Sequence, residues 1–156
     1  TVETSISTGM EPESMVIDRN NKLWVLCTGG YLNEETPRIM RINASTLEVE
    51  KEIPFRTNTD NPSSLAINAG RDTLYYIDEG VRRMTISDEA LSSEVLILPE
   101  GRLFYKLAIA PWNGLICVTD AIDYQQKGEL LIFSKTGDLV DKEETGIIPG
   151  FIRFKE

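Results

Sequence analysis

Asp78 and Asp120 occupy one position of a recurring pattern, eleven residues past the apolar residues Ile67 and Ile109, and Thr28 holds that position after Ile17. With Glu79 and Asp123 beside them, these side chains are a set of oxygen donors of the kind that hold a hard cation such as Ca2+. Such a cation takes about six or more oxygens, and no DxDxDG-type loop is present. The expected role is therefore local: each Asp caps a turn with its own side chain. A Ca2+ site is the alternative, and a carboxylate pair for acid–base or glycoside chemistry is a third reading.

A second set is aromatic. Tyr31, Tyr105 and Tyr124 fall in loops with Arg102 and Phe104 close by in sequence. Tyrosine suits recognition because it offers apolar area at low entropic cost and one hydroxyl. Packing against neighbouring loops is the competing role. The candidate ligand-binding residues are thus Tyr31, Asp78, Glu79, Arg102, Tyr105, Asp120, Asp123 and Tyr124, with no catalytic, cofactor or metal residue singled out. The stretch "TGGY" at Thr28–Tyr31 lacks the GxxxxGK[ST] spacing of a phosphate loop and precedes no helix. Its glycines are expected to allow a positive φ where a strand turns away.

The chain contains 0 histidines, so Ser-His-Asp and Cys-His catalysis, histidine zinc sites and histidine pH switching are excluded within it. Its 2 cysteines, Cys27 and Cys117, form no CxxC. They sit in different copies of the repeat, too far apart for a disulfide, whose Cα atoms approach within about 7 Å. Two free, buried thiols are expected.

The elements that position these residues are repeats. "PESMVIDRNNKLWVLCTGGY", "PSSLAINAGRDTLYYIDEG" and "YKLAIAPWNGLICVTDAID" share a plan, and "PGFIRF" opens a fourth copy. Anchored on Ile17, Ile67, Ile109 and Phe154, the intervals are 50, 42 and 45 residues. Each full copy reads as a small apolar strand, a polar turn, an apolar second strand, a variable loop, a third strand, a turn and a fourth strand. The fourth strands are "EVEKEIPF", "SEVLILP" and "DLVDKEE". At most a turn of helix is expected near Asp88–Leu91. Four short strands in each repeat of this length are the arithmetic of a β-propeller blade. Continuous apolar second strands suit burial on both faces, and charged outer strands suit a protected edge.

The fold class is therefore all-β, a β-propeller fragment. It holds three complete four-stranded blades at 12–55, 62–99 and 105–144, with partial blades at 1–8 and 149–156. Trp24 is expected in the core and Trp112 over a blade edge. The loops after the second strands and those leading into the first strands lie on one face, which carries the candidate residues. Propellers close with about four to eight blades, so three leave apolar faces to cover. The remaining blades of a larger ring, or self-association, are the expected cover. Thr1 falls in mid-pattern, as expected of a fragment or processed product, and the opening residues lack the basic, apolar, small-residue order of a leader, so any signal peptide is expected to be already absent.

"PESMVID" with "NNKLWVLCTGGY", then "PRIMRINASTLEVEKEIPF" and "NPSSLAIN", resembles the extracytoplasmic YncE-like, surface-layer-type β-propellers of Gram-negative gut bacteria. The resemblance covers essentially the whole chain. It implies about seven blades, of which this chain is roughly half, and a location in the periplasm or at the outer-membrane surface. It also implies a binding or scaffolding role, with a cobalamin-like small molecule, a glycan or a protein as ligand. The alternative is an enzyme of the propeller lactonase or lyase type, with a metal site completed by other blades. Asp18 and Asn68 are the polar residues on the inner strands that such a site could use. The net charge of −9 argues against nucleic acid as a partner. No apolar run is long enough for membrane insertion.

Overall fold

The computed structural model describes residues 5–155. Eleven antiparallel strands form three sheets. The first contains β1 (Pro12–Ile17), β2 (Lys22–Cys27), β3 (Arg38–Asn43) and β4 (Val49–Pro54), in that spatial order. The second contains β5 (Ser63–Ile67), β6 (Thr73–Ile77) and β7 (Val81–Thr85). The third contains β8 (Phe104–Ile109), β9 (Ile116–Asp120), β10 (Lys127–Phe133) and β11 (Leu139–Ile147). Each sheet is a meander, with strands consecutive in sequence pairing as antiparallel neighbours. The first strands lie side by side, with β5 between β1 and β8. The sheets are therefore arrayed around a common inner edge, and they do not close. The described residues contain no helix, so none is long and apolar enough to cross a membrane.

Alternation along β6 explains how the sheets stack. Leu74 and Tyr76, with Met84 of their own sheet, face the first sheet, where they pack with Trp24, Leu26, Ile39, Ile53 and Phe55. Tyr75 and Ile77 face the third, where they meet Leu107, Ile116, Val118, Leu131 and Phe133. A strand buried on both sides carries apolar residues at successive positions. Each fully buried aliphatic side chain of this kind contributes about 1.5–3 kcal/mol.

All three first strands carry an irregularity at one repeat position: between Pro12 and Ser14, Ser63 and Ala66, and Phe104 and Lys106. The bulge frees the backbone there to reach the next sheet. Ser14 Oγ accepts the Leu65 amide at 2.9 Å, and Ser64 Oγ accepts the Leu107 amide at 2.8 Å. Glu13 adds a third link, accepting the Ser64 amide at 2.9 Å through Oε2 while Oε1 meets Lys106 Nζ on the third sheet. Burial alone would raise the Glu13 pKa, but the bonds from Lys106, Ser14 and the Ser64 amide outweigh it and hold the carboxyl below its ordinary value.

The structure departs from the sequence reading in the middle sheet, which keeps three strands. Where "SEVLILP" was expected to pair, one bridge joins Val81 to Ile97. The reason is a side chain. Arg82 Nη1 donates to the carbonyls of Ser93 at 2.8 Å and Ser92 at 3.4 Å, holding as a loop the backbone that a fourth strand would use. The helical turn expected near Asp88–Leu91 is absent; the Asp88 amide and carboxylate instead close a tight turn on Thr85. At the ends, residues 5–8 and 148–155 form no strand; the rest of the 1–8 segment lies outside the described residues. Ile6 packs on the outer face of the first sheet with Val25, Cys27, Met40 and Ile42. Phe154 packs edge-on against Trp112, with ring centroids 5.2 Å apart. Trp24 is buried, and Cys27 and Cys117 are buried free thiols.

Candidate functional site

The repeat position Thr28, Asp78 and Asp120 has one structural task in all three sheets: it latches the loop that leads into that sheet's own first strand. Thr28 Oγ1 donates to Glu11 Oε2 at 3.1 Å. Asp120 Oδ1 accepts the Leu103 amide at 3.0 Å and the Ile122 amide at 2.8 Å. Asp78 Oδ2 lies 3.6 Å from Arg56 Nη2, and Arg56 belongs to the loop before β5. Asp123 is a turn cap, accepting the amides of Gln125 and Gln126, each at 2.9 Å. These hydrogen bonds hold its carboxyl below the usual carboxylate range. Among the described residues, no three Asp, Glu or Cys side chains converge as a metal cluster would require.

"TGGY" is a corner. Gly29 has φ +88°, and a Cβ there would sit 2.2 Å from the Glu35 carbonyl oxygen. The Glu35 amide donates to Gly29 O at 2.8 Å, which closes the loop on itself. Tyr31, at its tip, is 89% exposed and stands apart from the other candidate residues.

Four of those residues do come together. Glu79, Arg102, Tyr105 and Tyr124 line a cleft of about 350 Å3 between the second and third sheets, with Asn61, Ser63 and Lys106. Loop geometry builds it. Gly80, at φ +127°, lets the β6–β7 turn pass the Ile97 carbonyl, 2.5 Å from where a Cβ would lie. Tyr124 takes φ 62° in the β9–β10 loop, and its ring meets Tyr105 edge-on with centroids 5.8 Å apart. Lys106 Nζ lies 5.7 Å from the Tyr105 ring centroid while paired with Glu13. The cleft thus combines an edge-on aromatic pair with charges of both signs.

A neighbouring cleft of about 270 Å3 lies between the first and second sheets, and sequence reasoning did not find it. Its polar wall is Arg56, Tyr76, Asp78 and Arg82. Tyr76 and Arg82 are register partners on β6 and β7, so both point to the first sheet. Arg82 Nε lies 3.1 Å from Asp78 Oδ2, with both side chains buried. Burial pushes the Asp78 carboxyl up; Arg82 and then Arg56 oppose that, and Asp60 and Glu79 add to it. Burial also pushes the Tyr76 phenol up to about 12, and its hydroxyl has no hydrogen-bond partner among the described residues. The sequence shows an arginine pair, Arg82–Arg83, on the third strand of its repeat, but only the pairing register places Arg82 beside Tyr76.

No family model and no curated protein sequence matches the chain. Solved structures do. The β-propeller domain of Cps50 (Swd1) from Myceliophteria thermophila is 13% identical with a TM-score of 0.57, over 92% of this chain and 41% of that one. A quinonprotein alcohol dehydrogenase-like protein from Bacteroides thetaiotaomicron is 12% identical with a TM-score of 0.63, over 85% of this chain and 33% of that one. A luciferin-regenerating enzyme is 18% identical with a TM-score of 0.59, over 85% of this chain and 45% of that one. The likeness is one of fold: the chain has the β-propeller fold and spans less than half the length of each of these proteins.

Proposed function

We propose that this chain is part of a larger, non-enzymatic β-propeller of the YncE-like, surface-layer type, acting outside the cytoplasm, whose cleft between the second and third sheets binds a ligand. One observation carries the reading: Glu79, Arg102, Tyr105 and Tyr124 converge on a single cleft of about 350 Å3. The two tyrosines give apolar area that loses little entropy on binding. Arg102 and Glu79 give charges of both signs, which orient a polar ligand. The ligand is a cobalamin-like small molecule, a glycan or a protein loop. Further blades, or a second copy, cover the outer faces of the first and third sheets; Phe151 beside the third is 81% exposed.

The test is a thermal-shift and calorimetric screen of the chain against cobalamins, glycans and divalent cations. Binding that weakens about tenfold in Tyr124→Ala and Tyr105→Ala supports the reading, because one interfacial aromatic contact is worth about 1–2 kcal/mol. Metal-dependent lactone turnover would refute it in favour of a lactonase-type enzyme. A compact, stable monomer on sizing would refute self-association.

A further inference from the structure

Tyr76 poses a problem that its surroundings do not solve. Its residue is 0% exposed, yet its hydroxyl finds no partner among the described residues. A buried hydroxyl without a hydrogen bond destabilises a fold, so a side chain kept in that state needs a reason. The apolar half of the residue is well accounted for by its edge-on contact with Phe55, with centroids 5.7 Å apart. Phenylalanine would make that contact equally well. The hydroxyl is the part without an internal use, and Tyr76 lines the cleft between the first and second sheets.

The rest of that cleft defines what would satisfy it. Its charges are already interlocked. Arg56 Nη2 lies 3.5 Å from Asp60, 3.6 Å from Asp78 and 3.2 Å from Glu79. Arg82 holds Asp78 and the Ser93 carbonyl. This set of two guanidiniums and three carboxylates sums to −1, with the excess on Glu79 at the exposed rim, and each charged group of the lining itself, Arg56, Asp78 and Arg82, already has an opposite partner, so an ionic ligand would have to displace one. The set does leave fixed planar donors and acceptors, placed opposite the apolar surfaces of Phe55 and Leu91. A ligand matching this has hydroxyls that both donate and accept, and one apolar face. The volume of about 270 Å3 suits a molecule of on the order of a dozen heavy atoms. The room exists because the middle sheet lacks its fourth strand and the Ala90–Ser93 loop roofs the gap. Both walls come from this chain.

We propose that this cleft binds a neutral polyhydroxylated ligand of monosaccharide size, with the Tyr76 hydroxyl, Asp78 and Arg56 making its hydrogen bonds and Phe55 carrying its apolar face. Its lining shares no residue with the tyrosine cleft between the second and third sheets, although Glu79 of that cleft pairs with Arg56 here.

Saturation-transfer NMR and calorimetry on the whole chain, with a panel of neutral hexoses and hexitols, provide the test. Simple carboxylates and alkylamines complete the panel. A sugar is expected to bind, and Tyr76→Phe is expected to weaken it about tenfold. Tyr76→Phe removes an unpartnered group, so it should leave the melting temperature equal or higher; lost binding cannot then be ascribed to unfolding. Tyr124→Ala should leave sugar binding unchanged, which separates this site from the tyrosine cleft. Three results overturn the proposal: no sugar binds at high millimolar concentration, Tyr76→Phe binds as the wild type does, or only the carboxylates or amines bind here.

Discussion

Ser64→Ala tests how the sheets are joined. Ser64 is 6% exposed and its Oγ accepts the Leu107 amide across the boundary between the second and third sheets. Alanine keeps the backbone, at φ 63°, under the same constraint that serine already bears, so the change isolates the hydroxyl. Leu107 is 7% exposed, so its amide loses its acceptor where water does not readily replace it. A buried donor left unpaired costs about 1–3 kcal/mol. For a domain of this size that lowers the melting temperature by about 2–4 °C per kcal/mol. The drop should therefore be about 2–12 °C. The sharper readout is amide hydrogen exchange. Leu107 should exchange faster than in the wild type by a larger factor than Leu74, which lies on the far face of the middle sheet. Unchanged Leu107 protection, with a melting temperature within 1 °C of wild type, would refute the cross-sheet link.

Other perturbations probe different parts. Gly29→Ala should cost more than about 1 kcal/mol, because φ is +88° and the added Cβ meets the Glu35 carbonyl; urea melts measure it. The Glu13 pKa is held below its ordinary 4.5, so its stabilisation is fully present above about that pH and is lost as pH falls through the depressed value. Glu13→Gln should flatten that acid limb in melts recorded from neutral pH downward. Asp78 has the opposite sign: its folded pKa is raised above 3.8, so its ionisation weakens the fold as pH climbs through the folded value, and Asp78→Asn should remove that component. Burial raises the pKa of both Cys27 and Cys117, so a thiol reagent should label them only after unfolding.

The architecture was legible because its signal is redundant. Ile17, Ile67 and Ile109 each head the same succession of turns and apolar runs, and an error in one strand leaves the period intact. "SEVLILP" shows the limit. Its apolar run and its place in the repeat fit a fourth strand, but the guanidinium of Arg82 engages the Ser92 and Ser93 carbonyls first, and no local pattern reports a competitor ten residues away. The tyrosine cleft was partly legible for a geometric reason. The up-and-down strand order gathers the loops after the second strands and before the first strands at one end, which puts Glu79, Arg102, Tyr105 and Tyr124 on one face, though it cannot say that Tyr31 stands alone there. Asp120 and Asp123 drew attention as acids in loops, and the structure spends them on backbone amides. Tyr76 and Arg82 escaped because an apolar run around "LYYI" reads as core, and only the register of β6 on β7 shows that a phenol and a guanidinium share a side.

Glu13 gives the three sheets an unusual kind of connection. In repeat proteins, stability is a sum of unit terms and nearest-neighbour terms, so units can open one after another. A single carboxylate that grips a backbone amide of the middle sheet and an ammonium of the far one adds a next-nearest-neighbour coupling. Unzipping from either end then disturbs a bond belonging to the opposite end, which favours melting of the array as one cooperative block over stepwise fraying.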